Sequence, residues 1–267
     1  MFNFLLKVPT IKKIISSIGI RVLKLLNKNR GYFKINNIKM FLDFLDPIDR
    51  EIILDQGYEK KEISFLNKLI NSNKINHFID IGANCGIYSF SIALYCKNLN
   101  VLAFEPNKEA FEKFSKTLKI NSNILKNIKI FNFGLSNKKS KLKMRSKVKY
   151  GYSQTGGSVI HDGKIYNDVE IYDANFEVGD EKLDLIKSNI AIKIDVEGHE
   201  YNVLLGLKKL LTNNNCILQI ELFDKNFDKS NNFLMDNNFK ILKEKKVKIS
   251  KPEAEKFYQV HQTKPFY

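Results

Sequence analysis

Two short stretches hold most of the residues that could do chemistry. The first reads Asp80-Ile81-Gly82-Ala83-Asn84-Cys85-Gly86, and Glu105 closes the next apolar run. Gly82 lets a chain turn sharply at a strand end, and Gly86 lets a helix start close to a sheet. An acid at the following strand end, here Glu105, is suited to hold the two hydroxyls of a ribose. A dinucleotide loop would read GxGxxG, with a middle glycine that lets backbone reach a pyrophosphate. In this chain that position is Asn84. Asp80 would repel a phosphate, yet it could bind an ammonium group directly or through water. The charge signs therefore favour S-adenosylmethionine, which has an ammonium, a sulfonium and a ribose but no phosphate, over NAD.

The second stretch reads Ile190-Ala191-Ile192-Lys193-Ile194-Asp195-Val196-Glu197-Gly198-His199-Glu200. Side chains alternate along a strand, so Lys193 and Asp195 share a face. Polar residues on a central strand are costly unless they are paired or face a cleft. The next run repeats the theme with Gln219 and Glu221. Carboxylates at strand ends are candidates for taking a proton from a hydroxyl that attacks a methyl group. Asp195, Lys193, Glu221 and His199 are the catalytic candidates. Simpler roles stand beside these. Asp80 could cap a turn, Lys193 could only pair with Asp195, His199 could only pack, and Glu197 could stabilise a helix start. Tyr58 and Glu59 either close over a cofactor or pack a helix. Asp195, Glu197, Glu221 and His199 lack the ligand spacing of a cation site, so no metal is expected.

These residues need elements to position them. From residue 77 the pattern alternates strand with helix. HFIDIG, VLAFEP, IKIFNF, IAIKID and CILQIEL read as strands, with helices over 88–95, 108–120 and 201–211 between them. That alternation predicts an α/β fold with a mostly parallel sheet. Two final runs, FKILKEKKVKI and KFYQVHQ, have no obvious crossover helix between them, which predicts one antiparallel strand near the sheet edge. Residues 137–183 read as long, polar and irregular. Residues 31–46 read as extended, and Pro47 opens a helical stretch to about residue 71 that pauses near Gly57.

The 267 residues carry 44 Lys+Arg against 29 Asp+Glu, a net charge of +15. Such a surface attracts phosphates, nucleic acid or anionic lipid. Arg, the residue best shaped for bidentate phosphate contacts, stands only at 21, 30, 50 and 145. That scarcity argues against nucleic acid as partner. Cys85, Cys96 and Cys216 form no CxxC pair, which fits reduced thiols and a cytoplasmic location. No run is apolar enough to span a bilayer. Within residues 1–30, apolar positions 11, 14, 15, 18, 22, 25 and 26 fall at helical spacing opposite a basic face. Such a helix either packs on its own domain or lies on an anionic membrane surface.

The sequence also resembles the FkbM-type methyltransferases. The likeness rests on GYE at Gly57–Glu59, FIDIGANCGIYS at Phe78–Ser89, FEPN at Phe104–Asn107, KIDVEGHE at Lys193–Glu200, the following VLLGLKKLL and the IE at Ile220 and Glu221. It covers roughly residues 55–225, and within 137–183 only GGS at Gly156–Ser158 looks familiar. The resemblance implies a Rossmann-like class I methyltransferase fold with a seven-stranded sheet, occupying residues 55–267 behind an N-terminal helical and extended segment over 1–54. It also implies S-adenosylmethionine as cofactor and O-methylation of a hydroxyl on a glycan or secondary metabolite. The cofactor residues are then Asp80, Gly82, Asn84, Gly86, Glu105 and Glu59. Three rivals are a nucleic-acid methyltransferase, a non-catalytic cofactor- or membrane-binding module, and an NAD-dependent oxidoreductase. The first lacks a DPPY-like motif at 195–198, the second has no need of polar groups on central strands, and Asn84 and Asp80 oppose the third.

Overall fold

The computed structural model describes residues 9–26, 28–149, 152–160, 169–222, 224–246 and 254–260. Residues 1–8, 27 and 247–253, and so part of the N-terminal run and of FKILKEKKVKI, lie outside them, as do His261 and Gln262 of KFYQVHQ. Helix α1 (Pro9–Leu25) leads into a hairpin of β1 (Arg30–Ile35) and β2 (Ile38–Asp43). The helical stretch after Pro47 is two helices, α2 (Pro47–Asp55) and α3 (Lys60–Ser72). Asp46 starts α2 by accepting from the amides of Ile48 and Asp49, with Pro47 in the first turn where its missing N–H costs nothing. Between the helices Gln56, Gly57 and Glu59 all take positive φ, which breaks the helix where the sequence pauses.

The alternating region follows as β3 (His77–Ile81), α4 (Ile87–Tyr95), β4 (Asn100–Phe104), α5 (Lys108–Ile120) and β5 (Ile128–Phe131). It resumes at β10 (Asn189–Ile194), α7 (Glu200–Gly206), α8 (Lys208–Asn213), β11 (Asn215–Leu222), α9 (Asp224–Asp236), β12 (Phe239–Lys246) and β13 (Ala254–Val260). The sheet order is β12-β13-β11-β10-β3-β4-β5. Strands β11, β10, β3, β4 and β5 pair in parallel. Only β13 is reversed, antiparallel to both β11 and β12. The central strands are buried on both faces, which is why they read as continuous apolar runs. Phe78, Phe90 and Phe114 pack in the cluster on one face, and Ile79, Ile192 and Leu204 in the cluster on the other. The hairpin joins the first cluster through Ile35, Ile38, Met40 and Leu42.

Chain order runs outward from β3 to β5 and then returns to β10 beside β3. The switch point of the sheet therefore lies between β3 and β10, where this architecture opens a crevice at the strands' carboxyl ends.

Two expectations are corrected. Residues 137–183 are not an irregular loop. They carry β7 (Ser140–Lys149), β8 (Tyr152–Val159) and β9 (Val169–Val178), which with β6 (Gly134–Ser136) form a second sheet in the order β6-β9-β7-β8, followed by the short α6 (Gly179–Lys182). The outer face of β7 is so rich in Lys that its alternation reads as merely polar. Residues 201–211 are not one helix, since α7 ends at Gly206 and α8 begins at Lys208. Helix α9, between β11 and β12, is an addition to the elements read from the sequence, where its run of Asp, Asn and Lys hides it.

Candidate functional site

The site starts with backbone. Gly82 has φ +80°, and a Cβ there would lie 1.8 Å from the carbonyl oxygen of Asp195. Only glycine lets the end of β3 approach the end of β10 so closely. Gly82 and Ala83 both donate to the Phe104 carbonyl at 3.0 and 3.1 Å, and the Asp195 amide donates to Ile81 at 3.0 Å. These bonds tie the ends of β3, β4 and β10 together. Gly86, at φ +85°, opens α4 against the Phe114 ring, where a Cβ would lie 2.7 Å away.

A cleft open to solvent lies over this junction. Its wall includes Gly82, Asn84, Glu59, Glu105, Asp195, Glu197, His199 and Glu221. The second sheet supplies the opposite wall through Met144, Thr155, Gly156, Gly157, Val159 and Phe176. Five carboxylates line the cleft, and among the described residues no Lys or Arg does.

Glu105 is held firmly. One carboxylate oxygen accepts from the Asn84 amide at 2.8 Å and the other from the Asn107 amide at 2.7 Å. A carboxylate has about four acceptor positions, so each oxygen keeps one for a ligand hydroxyl. Burial pushes Glu105 up to about 7, against the pull of those two amides. Asn84, itself left-handed at φ 50°, has a side-chain oxygen with no partner.

Glu59 is also left-handed, at φ 41°. It accepts from the Tyr88 hydroxyl at 2.6 Å, which in turn accepts from the Gln219 amide at 2.7 Å. Burial raises Glu59, and Lys193 pulls it back. Lys193 is buried beneath the cleft, 2.9 Å from Asp195 and over the Tyr88 ring. Burial opposes its charge, but Asp195, then Asp80 and Glu59, hold it above its ordinary value. Glu221 is raised by burial and then by Asp195.

The structure brings Gly82, Asn84, Glu59, Glu105, Asp195, Glu221 and His199 to one cleft. It places Asp80 elsewhere. Asp80 is fully buried, absent from the cleft wall, and accepts from the Ser89 amide and hydroxyl at 3.1 and 2.7 Å. It secures the first turn of α4 and adds negative charge beneath Lys193. His199 faces the cleft with both ring nitrogens engaged, 3.0 Å from the Ser136 hydroxyl and 3.3 Å from the Asn202 amide. These two contacts fix the orientation of the ring. Among the described residues, no group of three His, Cys, Asp or Glu is placed to hold a metal ion.

Sequence reasoning missed the wall made by the second sheet. The available signal was the period-two pattern of Leu142, Met144, Ser146 and Val148 between basic residues, beside the familiar GGS. It also missed Asn107, which caps α5 through Ala110, supports Glu105 and reaches the Tyr172 hydroxyl at 3.0 Å.

A parallel sheet with a glycine turn at β3, an acid at β4 and a cleft at the β3–β10 switch point defines the methyltransferase-like α/β class. The chain belongs to the FkbM methyltransferase family, whose methyltransferase FkbM domain matches residues 80–245. Among solved structures it is similar to the PH0793 protein of Pyrococcus horikoshii, at 13% identity and TM-score 0.50, covering 94% of this chain and 85% of that one. It is similar to methyltransferase FkbM from Methylobacillus flagellatus KT, at 14% identity and TM-score 0.46, over 69% of this chain. This chain spans 43% of the length of that protein. It is also similar to P. horikoshii TYW2 in complex with MeSAdo, at 14% identity and TM-score 0.47, covering 94% and 84% of the two chains. No curated protein matches the sequence.

Proposed function

We propose that this chain binds S-adenosylmethionine in the β3–β10 cleft and methylates a hydroxyl of a small-molecule or glycan acceptor. The observation that carries this reading is the lining of the cleft: Glu59, Glu105, Asp195, Glu197 and Glu221, with no Lys or Arg among the described residues. That donor set suits a ligand with cationic groups and a ribose. It opposes a pyrophosphate, which needs amide or cationic donors. When bound, the cofactor supplies an electrophilic methyl group on a positively charged sulfur.

In this reading the free acceptor positions of Glu105 hold the ribose hydroxyls, and the Gly82–Gly86 turn lies against the cofactor. Glu59, fixed by Tyr88, faces the cationic part. Asp80 acts through Lys193 and α4 rather than by touching the ligand. Asp195 lies beside Glu221 and is steadied by Lys193. It orients the acceptor hydroxyl and takes its proton as the oxygen gains the methyl group. Glu221, raised by burial and by Asp195, favours its protonated form. The acceptor stands between this acidic end and the apolar wall of Met144, Val159 and Phe176.

Calorimetric titration tests the reading. S-adenosylmethionine should bind and NAD should not. Glu105→Ala should weaken binding about 10- to 150-fold, the loss expected for a hydrogen bond to a charged group. Binding of NAD alone, or an unaltered affinity in the folded variant, would overturn the assignment.

A further inference from the structure

Helix α1 is amphipathic in an unusual way, with two apolar faces. The inward face carries Ile15, Ile20 and Leu23 against Phe44, Leu45, Ile53 and Leu54. Gly19 brings the helix hard onto the Phe44 ring, where an added Cβ would lie 2.8 Å away. Lys12 adds an ion pair with Asp55 at 2.6 Å. The helix orientation is therefore fixed by packing, and so is what it turns outward.

The outward face carries Ile14, Ile18, Val22 and Leu25, exposed by 53, 56, 46 and 86%. Leu26 follows at 58%. At about 100° per residue, positions 14, 18, 22 and 25 fall within a sector of about 80°. Exposed Arg21 and Lys24 stand beside that sector, with exposed Lys28 just beyond the helix. Scattered exposed apolar residues need no explanation, but a stripe along one helix marks an interaction surface. Its basic border and the net charge of +15 select the partner. A second copy of the chain would bring like charge against like charge. A bilayer carrying anionic lipid offers both a phase for the apolar stripe and a counter-charge for the border.

We infer that α1 docks this protein on anionic membrane surfaces, with Ile14, Ile18, Val22 and Leu25 entering the headgroup boundary. Among the described residues no helix is long and apolar enough to cross a membrane, so this is contact along a surface. Docking does not draw on the cleft, and its success or failure leaves the cofactor assignment standing.

The test is co-sedimentation of the full chain with vesicles of phosphatidylcholine, with and without phosphatidylserine. Binding should require phosphatidylserine and weaken as salt rises. The variant I18S/L25S changes only exposed side chains and should bind about tenfold more weakly or worse. The variant R21Q/K28Q should lose about fivefold per charge removed. Circular dichroism and thermal melts on the same samples confirm the fold. Equal binding to both vesicle types, or full binding by I18S/L25S, overturns the inference. A concentration-dependent dimer that I18S/L25S abolishes also overturns it, by assigning the stripe to a second copy.

Discussion

In the proposed reading, Asp195 is the residue that takes the acceptor's proton. It sits at the cleft end of β10, with one oxygen 2.9 Å from a buried Lys193 whose charge is held by three surrounding carboxylates. Asp195→Asn keeps the shape and removes the charge. Turnover should fall about 10²- to 10⁴-fold if a base is lost, with cofactor affinity little changed. Both quantities measured on one folded sample decide its role: normal turnover removes Asp195 from the chemistry, and lost affinity assigns it to the cofactor. Glu200 makes a separate prediction about stability. Its side chain is buried, one oxygen accepts from the Gly198 amide at 2.6 Å, and the other has no partner. Burial pushes it up from 4.5 to about 7. The folded state therefore prefers the protonated acid. As pH rises from about 4.5, the unfolded chain loses this proton first, and stability falls until the folded group also ionises near 7. Between those limits the wild type should lose up to about 3 kcal/mol relative to Glu200→Gln, the equivalent of the shift. Parallel urea curves for the two proteins across this range would refute the idea.

At the scale of elements, the question is what holds the second sheet over the cleft. The answer is a buried polar cluster. Thr155 on β8 donates through its amide and hydroxyl to Asp46 at 2.9 and 2.7 Å. Lys113 on α5 pairs with Asp49 and lies 3.8 Å from Asp46. Burial pushes Asp49 up to about 6, while Asp49 and Asp46 together hold Lys113 above its ordinary value despite its burial. Gly156 and Gly157, next along β8, line the cleft. Lys113→Met strands two buried carboxylates and should cost about 3–5 kcal/mol. K113M/D49N should recover part of that loss. A loss below about 1 kcal/mol in urea unfolding would mean that water already solvates the cluster. The same comparison shows what was legible in the sequence. Strands β3, β4, β10 and β11 were visible because both their faces are buried, which leaves an apolar run with few interpretations. The turn between β3 and α4 was visible because Gly82 and Gly86 answer to sterics. Strand β7 was hidden because one face meets water and its lysines mask the alternation. The burial of Asp80 was hidden because a carboxylate at a strand end reads the same whether it meets a ligand or caps Ser89.

The whole molecule separates charge in space. It carries a net +15, yet the cleft wall holds five carboxylates and, among the described residues, no Lys or Arg. Among the described residues the positive excess therefore lies outside the cleft. On β7 alone Lys141, Lys143 and Lys147 are exposed on the face turned away from the cleft, partly balanced by Asp173. A polyanion meets an attractive exterior and a repulsive cleft. This arrangement separates a nucleic-acid acceptor from an uncharged hydroxyl acceptor without knowledge of either. RNA homopolymer should bind the protein at low salt and release steeply as salt rises, the mark of phosphate contacts without specificity. Bound RNA should leave the affinity for S-adenosylmethionine within about twofold of its value alone, because surface charges more than about 10 Å away are screened at 0.1 M salt. The measurement is a cofactor titration with and without saturating RNA, repeated across salt. Competition between the two would place a polyanion in the cleft despite its carboxylates, and would turn the reading of this protein toward a nucleic-acid methyltransferase.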